Sequence, residues 1–221
     1  DRYHDKGSGF DAISGKDAEQ VADAQRVLSL IATYGRGPET LAGILDTHGE
    51  RPYVATLYEH LLRFQRERGD HQGSVATAKA LRERYPDHPK APAILTEMVA
   101  SWRLAGNSAQ MRDTMETAVA AHAAPEAMAR LELPVRRKVM GYLRALGVWH
   151  YTRGQALEGA EARRHYRDAS RRLRQYADRA GRFREQAAVM GTGAGYMVLL
   201  AGDAAQRGGR TTSAAGLYER A

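Results

Sequence analysis

Histidines, carboxylates and hydroxyls are the groups through which this chain could do chemistry, because it contains no cysteine. That absence removes a disulfide framework, a thiolate zinc site and a cysteine nucleophile. Eight histidines invite a metal site. However, His60, His71, His88, His122, His150 and His165 lie far apart in sequence. None forms the His-x-x-x-His pair that sets two imidazoles on one helix turn, so neither a metal nor a cofactor is expected. Acidic and basic residues pair repeatedly, as in Glu59/Arg63 and Glu83/Arg84. Catalytic carboxylates need an enclosed cleft that separates their pKa values. Carboxylates interleaved with Arg along a helix are expected to be surface ion pairs worth about 0.2–0.5 kcal/mol each. Ser29, Ser74 and Ser101 lack a nucleophile-elbow context. The glycines of Gly191-Thr-Gly-Ala-Gly195 loosely resemble a phosphate-cradling loop but lack the preceding strand and the closing Lys-Ser/Thr. Close helix packing is their expected role, and no catalytic activity is expected.

Arginine is the stronger signal. Net charge is +7, yet residues 130–184 hold fifteen Lys/Arg against five Asp/Glu. Arg163, Arg164, Arg167, Arg171, Arg172, Arg174 and Arg179 crowd one segment. Such a segment can attract nucleic acid, anionic lipid or an acidic protein, or can simply be a solvated helix face. Its Tyr166 and Tyr176 fall on the apolar stripe and are poor stacking platforms for bases.

These groups must be positioned by helices. Ala, Leu and Arg abound, and no stretch alternates with period two, so the chain is predicted to be all-α. No apolar run approaches the roughly 20 residues of a membrane span. Asp17 with Gln20 suggests a capping box opening a helix with Val21, Ala24, Val27, Leu28, Ile31 and Ala32 on its apolar face. Pro38, Pro52, Pro92, Pro125 and Pro134 suit first helical turns, while Pro86 and Pro89 punctuate a link. A helix from Pro134 to about Arg153 carries Val139, Met140, Leu143, Leu146, Gly147 and His150, and Gly154 to Gly159 is the expected turn. The next helix buries Tyr166, Ala169, Leu173, Tyr176 and Ala180. After Gly181 a long helix, about Arg182 to Gln206, is expected, with two helices broken at its glycines as the alternative.

One pattern occurs twice at a period of thirty-seven. Tyr58, Leu61, Gly69-Asp70, Ser74, Ala78 and Leu81 are echoed by Leu95, Met98, Gly106-Asn107, Met111, Met115 and Ala118. A helix, a tight turn and a second helix are thus used more than once. Units of this kind bury their apolar faces by stacking.

The echo resembles the tetratricopeptide repeat family, with Tyr58, Leu61, Gly69-Asp70, Ser74, Ala78, Leu81 and Pro86 as a first copy. Leu95, Met98, Trp102, Gly106-Asn107, Met111, Met115 and Ala118 make the second. Leu143, Leu146-Gly147, His150, Ala169, Leu173 and Tyr176 make a third, with an insertion between its helices. Val198, Ala201-Gly202, Gly209, Ala214, Tyr218 and Ala221 make a fourth. Leu62 and Val99 replace the small residue at which the two helices of a repeat touch, which implies looser packing there. The resemblance implies a right-handed α-solenoid of about ten helices. It divides the chain into a flexible segment (1–16), a degenerate hairpin (17–50), two repeats (51–123) and longer, irregular repeats with the basic helix (124–221).

The resemblance also implies a non-catalytic scaffold that binds a protein or peptide in a concave groove. The groove positions are Glu59, Arg63, Arg66 and Glu67; Thr96, Ala100, Arg103 and Leu104; and Arg144, Val148, Tyr151 and Thr152. Arg beside Tyr suits an acidic peptide, since guanidinium pairs bidentately with carboxylate. A nucleic-acid module using the 163–184 helix is the alternative, as is the superhelical part of a larger enzyme. The runs RVLSLIATYGRGPETL, HGERPY and LYEHLLRFQRERGDHQGSVATAKALRERYPDHPKAP are similar to large envelope-associated repeat proteins of Proteobacteria. This second likeness implies a periplasmic or outer-membrane-associated place, with a cytoplasmic one as the alternative. It also implies an internal slice of a longer array, in keeping with a chain that starts at Asp1 and stops at Ala221 within a repeat.

Overall fold

The computed structural model describes residues 15–47, 53–182 and 194–220. Among them the chain is all-α, with eleven helices and no strand. These are α1 (Lys16–Tyr34), α2 (Pro38–Asp46), α3 (Val54–Glu67), α4 (His71–Arg84), α5 (Ala91–Leu104) and α6 (Ser108–His122). They continue with α7 (Pro125–Ala129), α8 (Leu133–Gln155), α9 (Gly159–Arg182), α10 (Ala194–Arg207) and α11 (Thr211–Tyr218). Two compact units divide at Met111/Arg112, within α6. No helix among the described residues is long and apolar enough to cross a membrane.

In the first unit α3 packs on α1 and α4, and α4 packs on α5. The thirty-seven-residue echo is visible in its turns. Gly69 ends α3 with φ +79° and Gly106 follows α5 with φ +70°, in the left-handed region that favours glycine. At the first, the Asp70 N–H donates to the Gln65 carbonyl at 2.9 Å and the Gly69 N–H to Arg66 at 3.0 Å. At the second, the Asn107 N–H donates to Trp102 at 3.0 Å and the Gly106 N–H to Arg103 at 3.1 Å. Both are Schellman closures, which satisfy carbonyls a helix end leaves open. The residue after each glycine then caps the next helix. Asp70 Oδ1 accepts from the Gly73 N–H at 2.8 Å, and Asn107 Oδ1 accepts from the Gln110 N–H at 3.1 Å. Gly209 (φ +81°) repeats the closure between α10 and α11.

Tyr58, Leu61, Ser74, Ala78, Leu81, Leu95 and Met98 are buried, as their spacing predicts, and Val75 joins them. Leu62 and Val99 are buried as well. A polar pair sits in the same core, where the Thr77 hydroxyl donates to Gln65 Oε1 at 2.6 Å. That bond offsets the cost of burying the Gln65 side-chain carbonyl, in a residue only 1 % exposed.

In the second unit α9 lies between α8 and α10, and α11 packs on α10. Tyr166, Ala169, Leu173, Tyr176 and Ala180 are all buried, as the stripe predicts. They meet a core that includes Val139, Met140, Leu143 and Leu146 of α8, with Val198, Ala201 and Ala204 of α10. Ala162, Tyr166, Ala169 and Ala204 form one cluster, flanked by Tyr151 and Leu157.

Several sequence expectations are corrected. The cap of α1 is Gly15 at φ +64°, and Asp17 lies inside the first turn, where a carboxylate suits the helix dipole. Val27 and Ile31 are 48 % and 49 % exposed, while Ser29 and Ala32 are the residues α1 buries. The turn expected from Gly154 to Gly159 is shorter in the structure. Only Ala156–Glu158 separate α8 from α9, and the other residues lengthen both helices. Gly154 lies within α8, and Gly181 does not end α9, which continues to Arg182. Pro38, Pro92, Pro125 and Pro134 do open helices. Pro52, Gly191 and Gly193 lie outside the described residues, as does the middle of the helix expected after Gly181.

Candidate functional site

The expected groove residues of the first unit sit on α3 and α5, and the fold treats them unequally. Glu59 is held by Lys90 Nζ at 2.7 Å and faces His88 Nε2 at 3.7 Å. Arg66 of α3 is ion-paired with Glu97 of α5, tying the first helices of two consecutive hairpins together. Arg63, Glu67, Arg103 and Leu104 are exposed, whereas Thr96 is buried and Ala100 half-buried. Glu59 and Arg63 line a depression of about 280 Å³ with Val21, Gln25, His60 and Lys90. Its wall is fixed by His60, whose Nδ1 shares a hydrogen bond with Ser29 Oγ at 2.9 Å. Burial, then the Arg63 charge, lowers the His60 pKa below its ordinary value, with Glu67 opposing.

On α8, Arg144, Val148 and Thr152 are exposed and Tyr151 is half-buried. The Tyr151 hydroxyl donates to the Asp203 carboxylate of α10, which also accepts from Arg207 Nε at 2.8 Å. The Arg207 guanidinium stands over the Tyr151 and Tyr166 rings at 6.0 and 5.7 Å. Burial, then the bond to Asp203 and its charge, pushes the Tyr151 pKa up to about 12. Tyr151 thus acts as a tether between α8 and α10.

Beside it lies a cluster that sequence spacing did not suggest. His150 and His165 approach with their Nδ1 atoms 2.9 Å apart. Glu116 of α6 faces His150 Nε2 at 3.6 Å and is ion-paired with Arg172 of α9. The Trp149 ring stands edge-on to both imidazoles, with Arg112 over its face at 4.8 Å from the centroid. Desolvation alone would raise the Glu116 pKa, but the His150 hydrogen bond and the Arg172 charge outweigh it and hold it below the usual value. His165 is lowered by burial, then by the charges of His150 and Arg153. Only symmetry about the α8–α9 turn could have signalled this pair. His150 and His165 lie at comparable distances either side of Ala156–Glu158, so antiparallel helices bring them opposite. No group of three His, Cys, Asp or Glu among the described residues could hold a metal ion.

The arginines of α9 divide into two sets. Arg172 pairs with Glu116, and Arg179 Nε donates to the Ala123 carbonyl at 3.0 Å. These two anchor the helix. Arg164, Arg167, Arg171 and Arg174 instead recur every three or four residues along one face. With Asp168, Ser170, Arg210 and Ser213 they line an open depression of about 440 Å³. Arg171 pairs with Asp168 at 2.7 Å, while Arg164, Arg167, Arg174 and Arg210 make no ion pair among the described residues. Arg163 is exposed and lies outside this lining. Converging guanidinium groups of this kind can hold an anion. Against known proteins, no family model matches the chain, and no curated protein does either.

Proposed function

We propose that the chain is a non-catalytic scaffold of tetratricopeptide-like repeats, stacked as a right-handed solenoid, that binds an acidic segment of another protein. The observation that carries this reading is the depression on α1 and α3. There apolar Val21, Ala18 and Ala22 adjoin the exposed Arg63, while Lys90 at the edge is paired with Glu59. A small apolar patch beside an exposed guanidinium suits a short peptide with an acidic side chain or C-terminal carboxylate. The repeated Schellman turns at Gly69 and Gly106 support the repeat assignment. The envelope location rests on the sequence resemblance alone.

Titration calorimetry with short acidic peptides tests the reading. Micromolar binding that Arg63→Glu abolishes is the expected result. Arg66 is a poor reporter, because reversing it would set it against Glu97. Capture of the native partner by an Arg63→Glu/Arg103→Glu variant at the wild-type level would reject this surface. The nucleic-acid alternative is less well supported, since Tyr166 and Tyr176 are only 7 % and 3 % exposed and offer no stacking face.

A further inference from the structure

We propose that the depression on α9 and α11 is a binding site for a compact anion carrying several phosphate groups. Its lining contains five arginines, Arg164, Arg167, Arg171, Arg174 and Arg210, against one carboxylate, Asp168. Asp168 is neutralised by Arg171. Arg164 to Arg174 spans ten residues, about 15 Å of helix at the usual rise. Four guanidinium groups on one face over that length repel one another. The fold had another option, since it ties Arg172 and Arg179 to partners on the preceding elements. Among the described residues, the arginines of the depression make no such tie to a preceding element, and Arg210 joins them from the turn between α10 and α11.

The chemical class follows from what lines the site. Apart from aliphatic stems, the lining is arginine, serine and one aspartate. Among the described residues that line it, there is no aromatic ring to stack on a base and no apolar side chain to anchor an amphipathic helix. Recognition there rests on charge and hydrogen bonds alone. The Ser170 and Ser213 hydroxyls add neutral donors to the guanidinium forks. A volume of about 440 Å³ is large enough for a compact ligand with several anionic groups. Phosphate groups carry the most charge per unit volume and accept bidentate Arg bonds, so a short polyphosphate moiety fits best.

Titration calorimetry of the intact chain with inorganic tripolyphosphate, near physiological salt, tests this. Saturable 1:1 binding is expected, at least tenfold weaker in Arg164→Gln/Arg174→Gln and in Arg210→Gln. Arg163→Gln should bind as the wild type does, and circular dichroism should show all variants folded. Absence of saturable binding would overturn the proposal. So would equal weakening by Arg163→Gln, which would mean diffuse charge rather than a site. Equally tight binding of hexaglutamate or a single-stranded oligonucleotide would overturn the phosphate assignment in favour of an acidic peptide or a nucleic acid.

Discussion

Gly147 of α8 lies so close to Leu173 of α9 that a methyl group in its place would stand 2.7 Å from the leucine Cγ. The relation recurs in the last helix pair, where a methyl group at Gly202 would stand 2.8 Å from Tyr218 Cε1. In both pairs a glycine on one helix admits a bulky residue of the next. The equivalent places in the first unit hold Leu62 and Val99, which are buried and fill the space with side chain.

Gly147→Ala should therefore destabilise. Overpacking against buried Leu173 costs about 1–3 kcal/mol, more than the roughly 0.5–1 kcal/mol that Ala gains in helix propensity. Gly141 is the internal control, since it lies in the same helix with nothing within 4 Å of an added methyl. Gly141→Ala should stabilise by about 0.5–1 kcal/mol. Urea unfolding of both variants reads the difference in sign.

Stability should fall with acid in two stages. His165 and His60 both have pKa values lowered in the fold, so the unfolded chain binds protons more readily than the folded one. Their contribution is present above the unfolded value of about 6.5 and is lost as pH drops through the lowered folded values. Glu116 adds a second loss below the ordinary carboxylate range of about 4.3. Melting temperatures recorded from pH 7.5 down to about 2.5 should decline in both ranges, and His165→Asn should flatten the first stage. An unchanged slope in that variant would show that the imidazole pair is not its source.

Arg172 should matter to stability where Arg164 does not. Removing Arg172 leaves the half-buried Glu116 without its guanidinium, at a cost of about 1–2 kcal/mol, whereas Arg164 is exposed. Arg172→Gln should also raise the Glu116 pKa, readable by NMR titration of its side-chain carboxyl. Equal stability of Arg172→Gln and Arg164→Gln would contradict the division of α9 into anchoring and open arginines.

The turn after α3 offers a local test. Asp70→Ala removes the acceptor for the Gly73 N–H and should cost about 1 kcal/mol. Gly69→Ala forces a side chain into the left-handed region, with a cost of about 1–2 kcal/mol. Asp70→Asn should retain most of the stability, as Asn107 fills the same role at the turn after α5. Thermal melts of the three variants separate capping from charge.

The sequence alone determined what depends on neighbours a few residues away. Helical period placed the buried stripe from Tyr166 to Ala180, proline marked helix starts, and Gly69-Asp70 and Gly106-Asn107 marked turns, because backbone closure and capping are local. Its reading was weaker where a distant element decides the outcome. Val27 and Ile31 have helical spacing, yet they are exposed because burial depends on what packs beside α1. Gly154 was expected to open the turn yet lies within α8, where the Tyr166 ring of α9, 3.0 Å from where its methyl would stand, calls for a glycine. Only the tertiary structure decided which arginines of α9 are tied down and which line an open depression. Charge is written along the chain, but the partner of each charge is set by which helices lie across from it.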